Sequence, residues 1–403
     1  MRAGHQRTCA AVLVLCGISS SFAQARNPEA GQRAKARVVG PVGTSPSFEQ
    51  LAARAREALD ANDVPEAIRL FGHATKLQPA WSEGWWHLGT LQFDSQRFTA
   101  ARDAFTHFVA AERKQAGPGF AMLGLSEFHL KRYPEALAAL ERGLNLGLGP
   151  NPDFNRLTLY HDGLLNTLLG QSEIALPRLN RAANLIAAAN PTAAREAVFA
   201  DTELLDALGT AALRIPKLPS ELLPAQIPLA RQAGRAQALI ALQDRVAAEA
   251  EFKQLLALYP SEPGVHYMYG VFLLKENPPL AVDEFRKEIQ VSPAHDAARV
   301  QLALALLGTA DYEQGLKYAK EAVALAPNNF VARVACGRLW LELGKTGPAV
   351  RELRAAVRLA PGSPDAHFAL SRALAQAGQK AEAAQERQKF ERLKALTDAA
   401  NRQ

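Results

Sequence analysis

Cysteine is scarce in this chain, and the short motifs that usually mark enzymes and metal sites are absent. Of 403 residues only Cys9, Cys16 and Cys336 are cysteines. We expect the first two to be removed with a leader, so no intramolecular disulfide can form in the remainder. No H-E-x-x-H, C-x-x-C or G-x-S-x-G motif occurs, and the nine histidines are scattered. We therefore predict no metal, no cofactor and no catalytic residue.

Aromatic residues and positive charge are also sparse over most of the chain. Aromatics make up 7% of residues against 48% apolar residues in all, and alanine and leucine supply much of the rest. This composition favours helices that pack closely through small side chains. Most of the formal charge of +6 comes from the first 46 residues. The remainder is nearly neutral, which excludes a basic nucleic-acid surface.

The N-terminus has the pattern of a secretory signal peptide. Arg2 and Arg7 precede a short apolar run over residues 9–18, and Ala23 and Ala25 supply an A-x-A cleavage site. We predict cleavage after Ala25, export to the periplasm or beyond, and no membrane span in the mature chain. Lipid attachment at Cys16 is the alternative, but a large leucine precedes that residue. Residues 26–47 are rich in Gly, Pro, Arg and Ser, which predicts a flexible linker.

A fixed period organises the rest of the sequence. Four apolar segments end at Pro260, Pro293, Pro327 and Pro361, which are 33, 34 and 34 residues apart. A period of this length is typical of stacked repeats rather than of one folded core. Apolar residues recur at three- and four-residue intervals on both sides of short turns, which predicts pairs of helices. Each proline ends the second helix of its pair.

The residues at fixed places in each period resemble the tetratricopeptide repeat. The pattern is a large residue, then Leu-Gly, then a small residue and an aromatic in the second helix. It appears as Trp85, Leu88, Gly89, Ala101 and Phe105, and again as Phe120, Leu123, Gly124, Ala136 and Leu140. The resemblance implies an all-α fold, a right-handed α-solenoid of stacked helix-turn-helix repeats. The small residues are expected where two helices cross closely.

The array is predicted to be interrupted once. An N-terminal array of about four repeats spans residues 48–189, and a C-terminal array of about five spans 229–397. Between them, residues 190–228 hold an extra helix and a segment whose four prolines, at 216, 219, 224 and 228, cannot continue a helix. The last repeat ends in a polar helix that we interpret as a cap, with a coiled coil as the alternative. Residues 398–403 are a tail.

The resemblance also implies a binding surface, because ligands of the family contact the first helices of successive repeats. The positions one turn from each repeat glycine are Trp86, Phe93, Phe128, Tyr160, Leu164, Tyr267, Val271, Arg338 and Arg372. Trp85 and Trp86 are adjacent and point about 100° apart, so we predict that Trp85 packs inside and Trp86 is an exposed anchor. The alternative, that such aromatics only pack between repeats, stays open.

These observations predict a non-catalytic protein-interaction scaffold of the cell envelope. Its groove would hold an apolar helix or an extended peptide. The paired Lys and Asn with which some relatives bind acidic C-termini are missing, so an acidic tail is disfavoured. The Pro-rich segment 215–228 is a candidate to occupy the groove itself. The alternatives are an envelope enzyme subunit, a glycan or small-molecule binder that uses the aromatic groove, and a purely structural spacer.

Overall fold

The computed structural model describes residues 46–112 and 116–400. The predicted leader 1–25 with its candidate lipid site Cys16, residues 26–45 of the predicted linker and residues 401–403 lie outside the described residues. Those that are described form α-helices and one short 3-10 turn, and they contain no strand. The contacts divide the chain into two units, residues 1–248 and 249–403. Each unit is an α-solenoid of helical repeats, which confirms the predicted fold class.

Unit 1 is a series of antiparallel hairpins in which each helix packs against the next. Its helices are α1 (Phe48–Asp60), α2 (Val64–Leu77), α3 (Ser82–Asp94), α4 (Phe98–Ala111), α5 (Ala116–His129), α6 (Tyr133–Leu146), α7 (Pro152–Leu168), α8 (Ser172–Ala189), α9 (Ala194–Ala200), α10 (Thr202–Ala212) and α11 (Ile227–Ala241). Helix α12 (Arg245–Leu258) begins in unit 1 and crosses the division. The 3-10 turn Pro219–Glu221 lies between α10 and α11.

One left-handed residue shapes each hairpin turn. It is Asn62, Gln96, Lys131 and Gly170 in the first four hairpins, with φ of 55°, 59°, 58° and 72°. The residue that follows it donates its amide to a carbonyl near the end of the first helix, as in the bonds at 2.8–2.9 Å after α1, α3 and α5. These bonds satisfy carbonyls that the helix end leaves open, so the first helix stops at the same place in each repeat.

Helix α10 ends in this same way, although a proline-rich segment follows it. Arg214 has φ 58°, and Ile215 donates its amide to the carbonyl of Thr210 at 2.8 Å. The residues after Ile215 then form a long loop that returns the chain to α11. Helix α10 is therefore the first helix of a hairpin whose turn is extended by an insertion.

The two helices of this hairpin cross unusually closely. A Cβ on Gly209 would lie 1.7 Å from the carbonyl oxygen of Ala230, and one on Gly234 would lie 1.9 Å from that of Leu205. The sequence pattern places the division between the arrays before residue 229, because the prolines predict a break in the period. The contacts differ from that division, since they keep α11 in unit 1 as the partner of α10.

Unit 2 contains a second set of hairpins. Its helices are α13 (Val265–Leu273), α14 (Pro278–Val291), α15 (Asp296–Gly308), α16 (Tyr312–Leu325), α17 (Phe330–Glu342), α18 (Thr346–Leu359), α19 (Pro364–Gln376) and α20 (Lys380–Ala400). None of the helices within the described residues has an apolar stretch long enough to cross a membrane.

The repeat positions form the core of both units as the sequence predicts. Gly89 faces the ring of Phe105, and Gly337 faces Leu353, at distances that leave no room for a Cβ without movement of the side chain. The large residues of the second helices are fully buried; they are Phe71, Phe105, Phe252, Phe285 and Leu353. Small residues thus permit the close helix crossings, and large residues fill the space beside them.

The last helix packs against α19 through its first half. Ala383 is buried, and the Phe390 ring lies 5.0 Å from that of Phe368. In the sequence, Phe390, Leu393 and Leu396 have the spacing of one continuous apolar stripe, which predicts that all three pack against the preceding repeat. That prediction is wrong at its end, because Leu396 is 60% exposed. Helix α20 has 21 residues and α19 has 13, so α20 is the longer by about two turns.

Candidate binding pocket

A pocket of about 320 Å³ lies in unit 1 on the first helices of successive hairpins. Helices α3, α5, α7 and α10 contribute to it, and the inserted loop after α10 supplies a further wall. Its lining residues are Phe93, Leu125, Phe128, His129, Arg156, Leu157, Tyr160, His161, Leu164, Asp201, Glu203, Asp206, Leu218, Pro219 and Ser220. The volume is at the lower end of the range for ligand sites, enough for one or two side chains.

Aromatic rings form one side of the pocket. The edge of the Phe128 ring meets His161 at a centroid distance of 4.7 Å, and Tyr160 meets the same imidazole at 5.3 Å, also at right angles. Phe93 packs edge-on against His129 at 5.5 Å. These edge-to-face contacts fix the orientation of the rings, so the wall is formed before any ligand arrives.

The inserted loop closes the pocket on another side. Leu218 is only 6% exposed and belongs to the same apolar cluster as Leu159 and Leu164 of α7. The Glu221 carboxylate accepts the amide of Leu218 at 3.0 Å, which holds the 3-10 turn at the pocket. Leu218 and Pro219 of the Pro-rich segment thus line the pocket, and occupation of the groove by this segment stays a prediction.

Acidic residues line the side of the pocket formed by α10. Asp201 lies 3.6 Å from Arg156, and Asp206 forms a two-point pair with Arg231, at 3.0 and 2.7 Å. Glu203 is exposed and has no ion pair within the described residues. Two of the three carboxylates are therefore paired with arginine, while the third is available to a ligand.

The Tyr160 hydroxyl lies in the field of these carboxylates. Burial raises the pKa of Tyr160 well above its ordinary value, and the negative charges of Glu203, Asp201 and Asp206 raise it further, while Arg156 opposes them. The hydroxyl makes no hydrogen bond to any part of the chain that the structure describes. It is thus a neutral polar group in a negative environment with its hydrogen-bonding capacity unused.

His161 is neutral in this pocket. Burial lowers its pKa to about 4, and the charge of Arg156 lowers it further, against the effect of the hydrogen bond to Leu157. Its Nδ1 lies 2.9 Å from the Leu157 carbonyl oxygen, so Nδ1 carries the proton and donates it. Nε2 is consequently an acceptor at neutral pH. The imidazole contributes a polar edge and no positive charge.

The structure brings together four of the residues predicted for the groove. Phe93, Phe128, Tyr160 and Leu164 come from three successive first helices and all line the pocket. Their spacing by one repeat places them side by side, which is the geometry that the repeat register predicted. Whether they bind a partner stays a prediction.

The prediction for Trp86 is wrong in one respect. Trp86 is 3% exposed and packs against Phe105 and Phe108 of α4, with ring centroids 5.8 and 5.2 Å apart. Trp85 is the more accessible of the pair; it stacks on His107 at 4.3 Å. Both tryptophans lie about one turn before Gly89, so the register alone did not distinguish the inward ring from the outward one. Trp86 belongs to the core and is not an exposed anchor.

The predicted residues of unit 2 have separate surroundings. Tyr267 on α13 is half-buried against Phe285 and His295, at 6.1 and 4.8 Å between ring centroids, whereas Val271 one turn later is 43% exposed. Arg338 on α17 and Arg372 on α19 are exposed. Arg372 lies 3.4 Å from Glu342. The binding role of Tyr267, Arg338 and Arg372 remains a prediction.

Sequence reasoning missed the polar side of the pocket. Arg156, Asp201, Glu203 and the loop residue Leu218 were not among the predicted site residues. One signal was present in the sequence: Asp201 and Glu203 start a helix whose Leu208-Gly209 pair fits the first-helix pattern of a repeat. The sequence pattern already resembles a first helix, but groove positions were predicted only about one turn from each repeat glycine of the arrays, so the acids at the start of this helix were not included.

No cluster of three or more His, Cys, Asp or Glu side chains that could hold a metal ion occurs in residues 46–112 and 116–400. The pocket itself offers aromatic faces, one unpaired carboxylate and the unused hydroxyl of Tyr160. This arrangement suits the binding of an amphipathic group.

Comparison with known proteins identifies the repeat. The family model described as Tetratricopeptide repeat matches residues 52–119, 300–364 and 337–395. Residues 52–119 and 300–395 therefore match tetratricopeptide repeats. A search of curated protein sequences finds no significant match.

Solved structures of other repeat proteins resemble parts of the chain. MamA is 16% identical, covering 41% of this chain and 96% of its own, with a TM-score of 0.37. MamA 41-end from Desulfovibrio magneticus RS-1 is 20% identical, covering 42% and 97%, with a TM-score of 0.39. YrrB, described as a TPR protein with an unusual peptide-binding site, is 22% identical, covering 40% and 84%, with a TM-score of 0.36. Likenesses this distant carry no conclusion about what this chain binds.

Proposed function

We propose that the protein is a non-catalytic scaffold whose unit 1 holds a segment of a partner protein in the pocket between α3, α5, α7 and α10. The observation that carries the proposal is the convergence of Phe93, Phe128, Tyr160 and Leu164 with the inserted loop around one space of about 320 Å³. Tetratricopeptide repeat proteins bind proteins or peptides, and this space has the size of one or two side chains.

Burial of an apolar side chain supplies the binding free energy. Full burial of one leucine or phenylalanine is worth about 1.5–3 kcal/mol, before the cost of ordering the segment. Because the rings are held by edge-to-face contacts and the loop is anchored through Glu221, little ordering is needed on the side of the scaffold. A segment with one anchor residue and several backbone contacts fits this geometry.

The cell envelope is the proposed location. The signal-peptide pattern of residues 1–25 supports it. N-terminal sequencing of the protein isolated from its native cells tests the location, and we expect the mature chain to begin at Arg26. A chain that retains its first residues would contradict export by cleavage.

Selection from a random peptide library tests the binding function. Peptides displayed on phage are selected on the full-length protein, and the enriched sequences are then measured by fluorescence polarisation. We expect a shared apolar residue and an affinity that falls about tenfold in Phe128→Ala, which corresponds to the loss of about 1.4 kcal/mol of apolar contact.

Phe199→Ala is the matched control. Phe199 is also a partly buried phenylalanine of unit 1, but it packs under Arg235, outside the pocket lining. The control variant is expected to bind the peptides as the unmodified protein does. The proposed function would be contradicted if the selected peptides bound Phe128→Ala as tightly as Phe199→Ala, or if the selection enriched no peptide sequence.

A further inference from the structure

The rim of the pocket is unevenly charged. Asp201, Glu203 and Asp206 all lie at the start of α10, and Arg156 is the one lysine or arginine among the described lining residues. His161 is neutral at physiological pH. The lining therefore carries more negative than positive charge, and the excess is concentrated on the α10 side.

Only one of the three carboxylates is free to meet a ligand. Arg156 faces Asp201, and Arg231 holds Asp206 through two hydrogen bonds. Glu203 lies one turn before Asp206 on the same helix and is exposed. A cation at the rim would meet Glu203 without displacing an existing ion pair.

A second observation points to the same kind of ligand. The Tyr160 hydroxyl lacks a hydrogen-bond partner in the described structure, and Tyr160 lines the same pocket as the three carboxylates of the α10 side, whose charges raise its pKa. Its oxygen can accept a hydrogen bond from an ammonium or guanidinium group. The neighbouring Phe128 ring presents a π-system, which attracts cations. An anion would meet repulsion here from the same carboxylates.

We infer that the partner segment places a lysine or arginine beside its apolar anchor, so that the aliphatic stem lies against Phe128 and Tyr160 and the charged end meets Glu203. This inference rests on the proposed function and adds the charge of the ligand to it. Lysine and arginine suit the site because both combine an apolar stem with a cationic end. The structure thus assigns an apolar-basic sequence to the partner.

A charge-swap selection tests the inference. The same random peptide library is selected in parallel on the full-length protein and on Glu203→Lys. We expect the peptides from the unmodified protein to be enriched in Lys and Arg beside the anchor, and those from Glu203→Lys to lose this enrichment and gain Asp or Glu. For one basic peptide, affinity is expected to fall about fivefold in Glu203→Lys and to weaken with added salt.

Glu135→Lys is the matched control. Glu135 is likewise an exposed glutamate in the first turn of its helix, α6, but it does not line the pocket. Both substitutions place a positive charge at a helix N-terminus, so a general loss of helix stability would affect both variants. We expect Glu135→Lys to select the same basic peptides as the unmodified protein.

The outcomes separate the inference from the proposed function. In one outcome, binding of the selected peptides requires Phe128, but the peptides selected on the unmodified protein and those selected on Glu203→Lys carry the same charge. The pocket then binds peptide segments, and the inferred charge of the ligand is wrong. If no selected peptide depends on Phe128, the proposed function fails first. A basic enrichment that reverses in Glu203→Lys supports the inference.

An N-terminal segment of the chain is a rival occupant of the pocket. Residues 31–42 read GQRAKARVVGPV and combine Arg33, Lys35 and Arg37 with three valines. A synthetic peptide of this sequence is therefore tested as a competitor of the selected basic peptide. We expect no displacement at equal concentration. Displacement that is lost in Phe128→Ala would assign the pocket to this chain's own segment and overturn the assignment to a separate partner.

Discussion

The two units share one repeat register, but the residues one turn from the repeat glycines have different surroundings in each unit. In unit 1 the positions one turn from the repeat glycines meet around a pocket, because Phe93, Phe128 and Tyr160 face a wall that the inserted loop supplies. In unit 2 the corresponding Tyr267 is half-buried by its neighbours, while Arg338 and Arg372 stay exposed. This difference indicates that stacked first helices provide only one wall of a site, and that the inserted loop of unit 1 adds the wall that encloses a pocket.

The crossing of α10 and α11 in unit 1 differs from the crossings at Gly270 and Gly337 in unit 2. Gly209 and Gly234 of unit 1 let one backbone touch another, since the nearest atoms to an added Cβ are carbonyl oxygens. Gly270 and Gly337 of unit 2 face the side chains of Phe285 and Leu353. A side chain can rotate away from a new methyl group, whereas a backbone in a helix cannot. The hairpin of α10 and α11, which positions the acidic rim, is therefore less tolerant of an added Cβ at its crossing glycines than the unit 2 hairpins are at Gly270 and Gly337.

Substitution of the crossing glycines has the largest expected effect. Gly209→Ala places a Cβ 1.7 Å from the Ala230 carbonyl oxygen, so α10 and α11 must separate, and we expect a loss of about 3 kcal/mol or more in the free energy of unfolding. Gly337→Ala in unit 2 should cost about 1 kcal/mol, because Leu353 can move. Urea denaturation measures the stability, and hydrogen exchange locates the loss in α10 and α11.

Gly308→Ala is the control for this series. Gly308 ends α15, and a Cβ added there would have no neighbouring atom within 4 Å, so the substitution should change stability by less than about 0.5 kcal/mol. Equal losses in Gly209→Ala and Gly337→Ala would remove the distinction between backbone and side-chain crossings.

Two neighbouring side chains of α7, Asp162 and His161, are expected to change the stability of unit 1 in opposite directions as the pH rises. Burial raises the pKa of Asp162 from 3.8 to about 6, so stability falls as pH rises through that range, because the unfolded chain ionises first. Burial lowers the pKa of its neighbour His161 from 6.5 to about 4, so stability rises over nearly the same range. Each shift corresponds to about 3 kcal/mol, and the two largely cancel.

Single variants should reveal each effect. Relative to the unmodified protein, Asp162→Asn, which keeps a polar group beside Arg178 at 3.2 Å, should gain stability as the pH rises from about 4 to 6. Relative to the unmodified protein, His161→Gln should lose stability as the pH rises from about 4 to 6.5. Urea denaturation across this range, expressed as the difference from the unmodified protein, removes the contribution of other groups. Difference curves with the same slope in both variants would contradict the opposing shifts.

The repeat architecture was accessible from the sequence because it depends on local and periodic features. Phe105 and Gly89 occupy fixed places in one hairpin, and the structure packs them together as predicted. Phe93, Phe128 and Tyr160, which the register places at equivalent positions, all line one pocket. Contacts within a repeat or between neighbouring repeats follow from spacing, since the helix geometry is the same each time.

The remaining features depend on contacts that no period encodes. Leu218 lies in an insertion that the repeat pattern does not contain, yet it belongs to the same apolar cluster as Leu164. The prolines of the insertion predicted an interruption of the array rather than a wall of the pocket. Trp85 and Trp86 both fit the register, and the choice between them depends on space beside Phe105 and Phe108. Local sequence specifies the helix, but tertiary packing decides which of two adjacent rings is buried.

The smallest expected effect concerns the arginines of unit 2. Arg372 and Glu342 form an exposed pair at 3.4 Å, and exposed pairs contribute about 0–1 kcal/mol. Arg338→Ala and Arg372→Ala should therefore leave the free energy of unfolding within about 0.5 kcal/mol, and the affinity for the selected basic peptide within about twofold, since neither residue lines the pocket. Polarisation measures the affinity beside Phe128→Ala. A loss in either arginine variant as large as that in Phe128→Ala would mean that unit 2 also contacts the peptide, and the contrast between a binding unit 1 and a supporting unit 2 would fail.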